Sequence, residues 1–263
     1  MRYILCLSYD GSAFCGWQIQ PSSPSVQQCL EEALSKLCGG PVAVTGAGRT
    51  DTGVHAADYV CHFDLTGNLP FEASDFNYKL NAILPRSIVV HAVLPAPDDF
   101  HARFSATQRS YTYFIHRKKD PFVAAYSWQC GFPNLDFDAM NQACQHLLGT
   151  HDFSCFEIVG GANKTSLCTI TEAFWKPYTP TLLQLQDEER HSGPDPESLY
   201  WYFRVSADRF LRNMVRAIVG TLIEVGRGKH DPGWVKELIE TGTRGDAGES
   251  VPGHALFLSK VTY

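Results

Sequence analysis

The ten residues Gly46-Ala47-Gly48-Arg49-Thr50-Asp51-Thr52-Gly53-Val54-His55 hold the densest chemistry in the chain. Gly46, Gly48 and Gly53 mark a backbone that turns sharply or is approached closely. Asp51 stands among them. Arg49 lies two residues earlier, so in an extended chain the two side chains share a face. An arginine beside a carboxylate keeps it ionised at neutral pH, and an ionised carboxylate held on a tight turn can act as nucleophile or base. The plainer alternative is that Asp51 and Thr52 cap the turn while Arg49 makes a surface pair, since Asp and Gly are common turn residues. The glycines form no dinucleotide or phosphate loop, because GxGxxG and Gly-Lys-Ser/Thr are both absent.

A second group is cationic. Arg209, Arg212 and Arg216 fall at i, i+3 and i+7 of a helical pattern carried by Phe210, Leu211, Met214, Val215, Ile218, Val219, Leu222 and Ile223, on the side away from those apolar residues. Arg212 and Arg216 are four apart, where like charges repel by a few tenths of a kcal/mol. A solvated charged face explains such a stripe, but its nearly uniform sign also suits phosphate or carboxylate binding by the planar guanidinium fork. Arg117-Lys118-Lys119 adds a basic cluster after a strand-like run, Ser110–His116, on which Tyr111 and Tyr113 alternate to one face. Aromatic residues beside basic ones fit stacking on nucleobases; core packing is the alternative for both tyrosines. His101, in Asp99-Phe100-His101-Ala102-Arg103-Phe104, reads as a packed loop residue or a substrate contact. His151-Asp152 with Cys155 sketches a thiol site, but an isolated local triplet is a poor basis for one. HExxH and CxxC are absent, which argues against a zinc site.

The elements that must hold these residues are mixed. Arg2–Tyr9 reads as a mostly buried strand. Ser25 with Gln28 three residues on is a capping-box pattern, and Val26, Leu30, Ala33, Leu34 and Leu37 follow at helical spacing until Gly39-Gly40. Val42–Val44, Tyr59–Phe63 and Ile88–Val93 read as further strands. Phe137 through Leu148 carries an amphipathic helix ended by Gly149, Leu199–Val205 is strand-like, and Asp231-Pro232 opens a short helix through Ile239. The polar stretch Thr179–Ser198 reads as a solvated loop or hairpin tip. The absence of a regular βαβ rhythm favours an α+β fold.

Composition narrows the class. Of 263 residues, 44% are apolar and 19% charged, enough to bury a core and against disorder. No apolar run reaches the roughly 18 residues of a membrane span, the N-terminus turns polar too soon for a signal peptide, and the odd count of nine cysteines points away from a disulfide-paired secreted chain. A cytoplasmic protein is expected. The net charge of −6 excludes a wholly basic nucleic-acid binder but not a local basic cleft.

Four stretches, in order along the chain, resemble the tRNA pseudouridine synthase A family. They are Tyr9-Asp10-Gly11 with Phe14 and Gly16-Trp17-Gln18; Gly46–Ala56 (GAGRTDTGVHA); Asp98–Ala106 (DDFHARFSA) followed by Tyr111; and Arg212-Asn213-Met214-Val215-Arg216 with Gly220 and Glu224-Val225-Gly226. Two departures stand out: Thr52 replaces the family's common alanine, and Ala255-Leu256-Phe257-Leu258 replaces its Gly-Leu-Tyr-Leu. The resemblance implies a pseudouridine synthase fold of two α+β sub-domains, 1–104 and 105–263, with antiparallel sheets flanking a basic active-site cleft. It implies isomerisation of uridine to pseudouridine at positions 38, 39 and 40 of the anticodon arm of tRNA, by a homodimer and with no cofactor or metal. Asp51 is then the catalytic carboxylate, as nucleophile or base, and Arg216 its partner. Tyr111 stacks on the uracil and is a candidate for proton transfer. Arg49 helps hold the place of the flipped-out nucleotide, Leu256 packs under the base, and His101, Arg103 and Arg212 complete the substrate-binding set.

A rival class is a non-catalytic RNA-binding protein using the Arg212/Arg216 and Arg117–Lys119 patches, but a pure phosphate binder gains nothing from a carboxylate in its cleft. A hydrolase with an aspartate nucleophile is a second, for which the acidic metal-binding partners are missing. A lone carboxylate also departs from the paired acids of glycosidases.

Overall fold

The computed structural model describes residues 1–158, 165–180 and 199–263. Residues 181–198, the bulk of the polar stretch read from sequence as a loop or hairpin tip, lie outside them. The chain divides into two compact units, Met1–Arg109 with Phe257–Tyr263, and Ser110–Leu256.

In the first unit, strand β1 (Arg2–Tyr9) forms where sequence places it, but it is buried on one face only. Tyr3, Leu5, Leu7 and Tyr9 point inward, as the two-residue period requires. Helix α1 (Val26–Cys38) begins at Ser25, whose hydroxyl accepts the Gln28 N–H at 3.3 Å, and ends at Gly39 with φ +72°. Only half of the capping box forms, since the Gln28 amide donates to Glu32 instead. Strand β2 (Val44–Gly46) starts two residues later than the sequence suggests and runs into the glycine-rich stretch. Strand β3 (His55–Asp64) pairs antiparallel with β1.

Helix α2 (Ala73–Ile83) was not anticipated. Its N-cap Glu72 makes no side-chain cap bond, and of its residues only Phe76 and Leu80 are buried, which is too sparse for a helical period to show. Strand β4 (Ile88–Ala96) pairs antiparallel with the other edge of β1. The second edge of β3 is shared: β2 pairs antiparallel at one end, and the C-terminal strand Leu256–Thr262 pairs parallel at the other through Phe257 and Leu258. The sheet is therefore mixed rather than wholly antiparallel. The C-terminal strand joins the first unit although sequence assigns residues 105–263 to the second sub-domain, and the division falls at Arg109/Ser110 rather than 104/105. A free strand edge accepts any segment that reaches it, and sequence distance does not enter.

In the second unit, β5 (Gln108–His116) is followed across the sheet by β9 (Tyr200–Ala207), β8 (Leu167–Pro177) and β7 (Gly149–Asp152), with β6 (Trp128–Gln129) parallel to β5. Cys168, Ile170, Ala173 and Trp175 alternate inward on β8, which the sequence reading did not assign. Helix α3 (Phe137–Gln145) is capped by Asp136, whose carboxylate accepts the Ala139 N–H at 2.8 Å. Helix α4 (Met214–Gly226) is the centre of this core, with every residue buried except Arg216 and Glu224. Helix α5 (Trp234–Thr241) follows an Asp231-Pro232 turn and starts two residues beyond Pro232. Both units combine helices with largely antiparallel strands, an α+β architecture.

Candidate active site

The Gly46–His55 turn is clamped from below. Beyond β2, the Ala47 N–H donates to Val60 O at 2.9 Å, and the Tyr59 hydroxyl donates to Gly48 O. Thr50 is buried: its hydroxyl lies 2.8 Å from the Tyr9 hydroxyl, and its carbonyl accepts the Trp17 N–H at 3.2 Å. Tyr9, Trp17 and Tyr59 pack on one another, Trp17 and Tyr59 stacked at 4.2 Å. The Val54 N–H closes the turn onto Asp51 O at 3.1 Å, and Gly53 sits at φ +75° with its N–H on Phe14 O. Gly16, at φ +89°, permits the close approach, for a Cβ there would lie 2.3 Å from Thr50 O. This explains why the family-like Phe14 and Gly16-Trp17 accompany the aspartate motif: they are its underside.

With Thr50 turned into the core, Arg49 is exposed and Asp51 half-buried, on the outer side of an ordered turn. The turn's closing bond runs from the Val54 N–H to the main-chain carbonyl of Asp51. His55 begins β3 with its ring stacked on Phe257 at 4.5 Å and its Nδ1 accepting the Gly11 N–H at 3.1 Å.

The same unit fastens the linking segment. Arg2 donates to Asp98 O and Phe100 O at 2.8 and 2.7 Å, the Ala102 N–H donates to the buried His62 Nδ1 at 3.1 Å, and the Tyr263 hydroxyl donates to Ala102 O at 2.7 Å. Burial, with the charges of Arg2 and His101, lowers the His62 pKa to about 4, so His62 accepts as a neutral ring. His101 is half-buried, and its Nδ1 accepts the Arg103 and Phe104 N–H groups at 3.1 and 3.3 Å. Arg103 and Phe104 are exposed.

Arg109 is the residue that sequence reading missed. Its guanidinium donates to Ala47 O at 3.0 Å, Ala106 O at 3.0 Å and Arg103 O at 2.5 Å, tying the start of the aspartate turn to the linking segment. An arginine two residues before Tyr111 gives no hint of a carbonyl partner 62 positions away. Its signal would have been the need of carbonyls in a turn and a linker for some donor.

The second unit holds the remaining candidates. Tyr111, on β5, is half-buried with the Phe210 ring edge-on at 5.1 Å. Tyr113 is fully buried and donates to Pro252 O at 3.0 Å, so of the two alternating tyrosines this one belongs to the core. The three-arginine helical stripe does not form. Asn213 adopts a left-handed conformation (φ +64°), so α4 begins at Met214 and only Arg216 lies on it. Arg216 donates from Nε to Val251 O at 2.7 Å. Arg212 is exposed in the preceding turn, where its carbonyl accepts the Ile158 N–H, and Arg209 is half-buried there beside Asp208. Leu256 is buried at the start of the C-terminal strand.

Arg117 is committed to Phe132 O at 2.7 Å, which leaves Lys118 and Lys119 as the exposed part of that cluster. The His151-Asp152-Cys155 triplet dissolves: His151 bonds Leu148 O, Asp152 accepts the Ser154 N–H, and burial pushes the Cys155 thiol up to about 12. Among the described residues no three His, Cys, Asp or Glu side chains group as a metal site, and no helix is long and apolar enough to cross a membrane.

A family model described as tRNA pseudouridine synthase matches residues 5–105 and 143–263. Tyr111 and Arg109 fall between the two matched segments. The chain is 44% identical over 262 residues to a tRNA pseudouridine synthase A of Porphyromonas gingivalis, covering 100% of this chain and 97% of that protein. It is 45% identical over 265 residues to the tRNA pseudouridine synthase A of Parabacteroides distasonis, covering 100% and 96%. It is 40% identical to tRNA pseudouridine synthase A 2 of Clostridium perfringens, with each chain covered in full.

Proposed function

The chain belongs to the tRNA pseudouridine synthase family, and from that premise we propose that it isomerises uridine to pseudouridine at positions 38, 39 and 40 of the tRNA anticodon arm. In this reaction the N1–C1′ bond breaks, the uracil turns, C5 bonds to C1′, the C5 proton leaves to solvent, and N1 takes up a proton in exchange. Nothing is oxidised or reduced. The target base must leave its stack, at a cost of a few kcal/mol, and stacking on Tyr111 recovers about 1–3 kcal/mol. Asp51 supplies the carboxylate, Arg216 is its arginine partner, and Arg49 holds the vacated place in the RNA. His101, Arg103, Arg212 and Leu256 complete the substrate contacts. Homodimerisation and a cytoplasmic location belong to the same proposal.

The observation that carries the reading is the construction of the aspartate turn. Thr50 is pulled into the core by Tyr9 and Trp17, while its neighbours Arg49 and Asp51 stay exposed and half-buried on an ordered turn. The test is Asp51→Asn, assayed for tritium release from uracil-C5-labelled tRNA and for tRNA binding by filter retention on one preparation. Asparagine keeps the size of the side chain but can act neither as nucleophile nor as base. Release should fall below detection while affinity stays level or rises, because a carboxylate near phosphates is removed. Retained release would remove Asp51 from the mechanism. Joint loss of binding and release would make the turn merely structural.

A further inference from the structure

Phe104 is 75% exposed, yet the loop that carries it is built with unusual care. His101 Nδ1 accepts the N–H groups of Arg103 and Phe104, the Ser105 hydroxyl accepts the His101 N–H at 2.9 Å, and the Ser105 N–H returns to His101 O at 2.8 Å. Arg109 grips Arg103 O and Ala106 O on either side. Single exposed apolar residues are common on surfaces and by themselves mean little. Here the neighbour Ala102 is turned fully inward while the larger ring is turned out. The His101 ring backs Phe104 at 4.3 Å, and the exposed Arg103 guanidinium lies 5.6 Å from the ring centroid. That is near the outer limit of cation–π attraction, so Arg103 can shift to a phosphate at little cost.

We propose that Phe104 is a stacking platform for an unpaired base of the substrate RNA other than the target uracil, with Arg103 taking an adjacent phosphate. A rigid, imidazole-backed aromatic surface loses little entropy when a base settles on it. An aromatic ring beside a mobile cation is the combination that binds unpaired nucleotides without reading their sequence. Phe104 is flanked in sequence by Arg103 and Ser105, a setting that suits a base beside its phosphate. The proposal rests on the reading of the substrate as tRNA.

The experiment is filter binding of an unmodified tRNA transcript across a salt series, with Phe104→Ala, Phe104→Trp and Arg103→Ala. Phe104→Ala should weaken binding about 5- to 100-fold with the salt slope unchanged, since no charge is removed, and Phe104→Trp should restore it. Arg103→Ala should make the slope shallower by about one contact. Wild-type affinity in Phe104→Ala would overturn the proposal. So would a loss of affinity accompanied by a changed sedimentation rate without RNA, which would assign Phe104 to self-association. Tritium release by the wild type is scored separately. Its absence would defeat the synthase reading, while the dependence of RNA binding on Phe104 would still be decided.

Discussion

His62 is a single buried ring on which the linking segment depends. Its Nδ1 must stay unprotonated to accept the Ala102 N–H. Its pKa is lowered to about 4 in the fold, by burial first and then by Arg2 and His101, against about 6.5 in an unfolded chain. Between these values the unfolded chain binds the proton more readily. The stabilisation is therefore complete above about pH 6.5 and is lost as pH falls towards 4. In His62→Asn an amide oxygen replaces Nδ1 as acceptor and does not titrate. The melting temperature of the wild type should drop more between about pH 7 and pH 4.5 than that of His62→Asn, as followed by circular dichroism. Equal drops would show that the ring is not the sensitive group. Asp51 presents the opposite case at this scale. Its residue type and glycine-rich surroundings marked it as a candidate beside the capping alternative, whereas alternation left Tyr111 and Tyr113 alike until the family resemblance singled out Tyr111, and burial places Tyr113 in the core.

Two elements carry the candidate residues through backbone contacts rather than side-chain packing. The aspartate turn is joined to the linking segment by the Arg109 guanidinium, whose fork reaches Ala47, Arg103 and Ala106 together. Lysine offers a point charge that cannot span three carbonyls. Arg109→Lys should cost about 1–3 kcal/mol in urea unfolding and lower the single-turnover rate more than tRNA affinity. Unchanged stability would mean that the three carbonyls are satisfied without it. Helix α4 lies against the backbone of residues 248–251. Thr221 Oγ1 accepts the Gly248 N–H, and a Cβ on Gly220 would fall 1.7 Å from Glu249 O. Alanine at Gly220 gains about 1 kcal/mol in helix propensity, but forcing backbone from backbone costs about 1–3 kcal/mol or more. Gly220→Ala should therefore be net destabilising, measured by thermal melting, and a raised melting temperature would contradict the packing. Arg216, one turn earlier, exchanges bonds with Val251 and should lose register with it.

At the scale of the whole molecule the question is how a chain of net charge −6 holds a polyanion. Net charge governs the long-range field, but each neutralised phosphate releases counterions locally. Binding of tRNA should weaken steeply with salt in spite of the acidic balance. Arg212, exposed in the turn before α4, should contribute about one contact, so Arg212→Ala should reduce the slope of log K against log salt by about one. An unchanged slope would leave Arg212 as a solvated charge.

What the sequence determined by itself was local. It determined the edges of β1 and α1, because a two-residue alternation and a Ser25 cap with Gly39 are short-range signals. It determined the aspartate turn, because glycines declare a demanding backbone wherever they cluster, and it determined the family, because four motifs stand in order along the chain. The tertiary structure decided whatever depends on a partner far away in sequence. It broke the arginine stripe at Asn213, whose left-handed backbone is held in a buried setting that helical periodicity cannot register. It sent the C-terminal strand to the edge of β3, about 200 residues back along the chain. It also gave Arg109 its three carbonyls. Backbone acceptors are identical at every position, so no residue pattern says which donor will find them; only the folded path of the chain does.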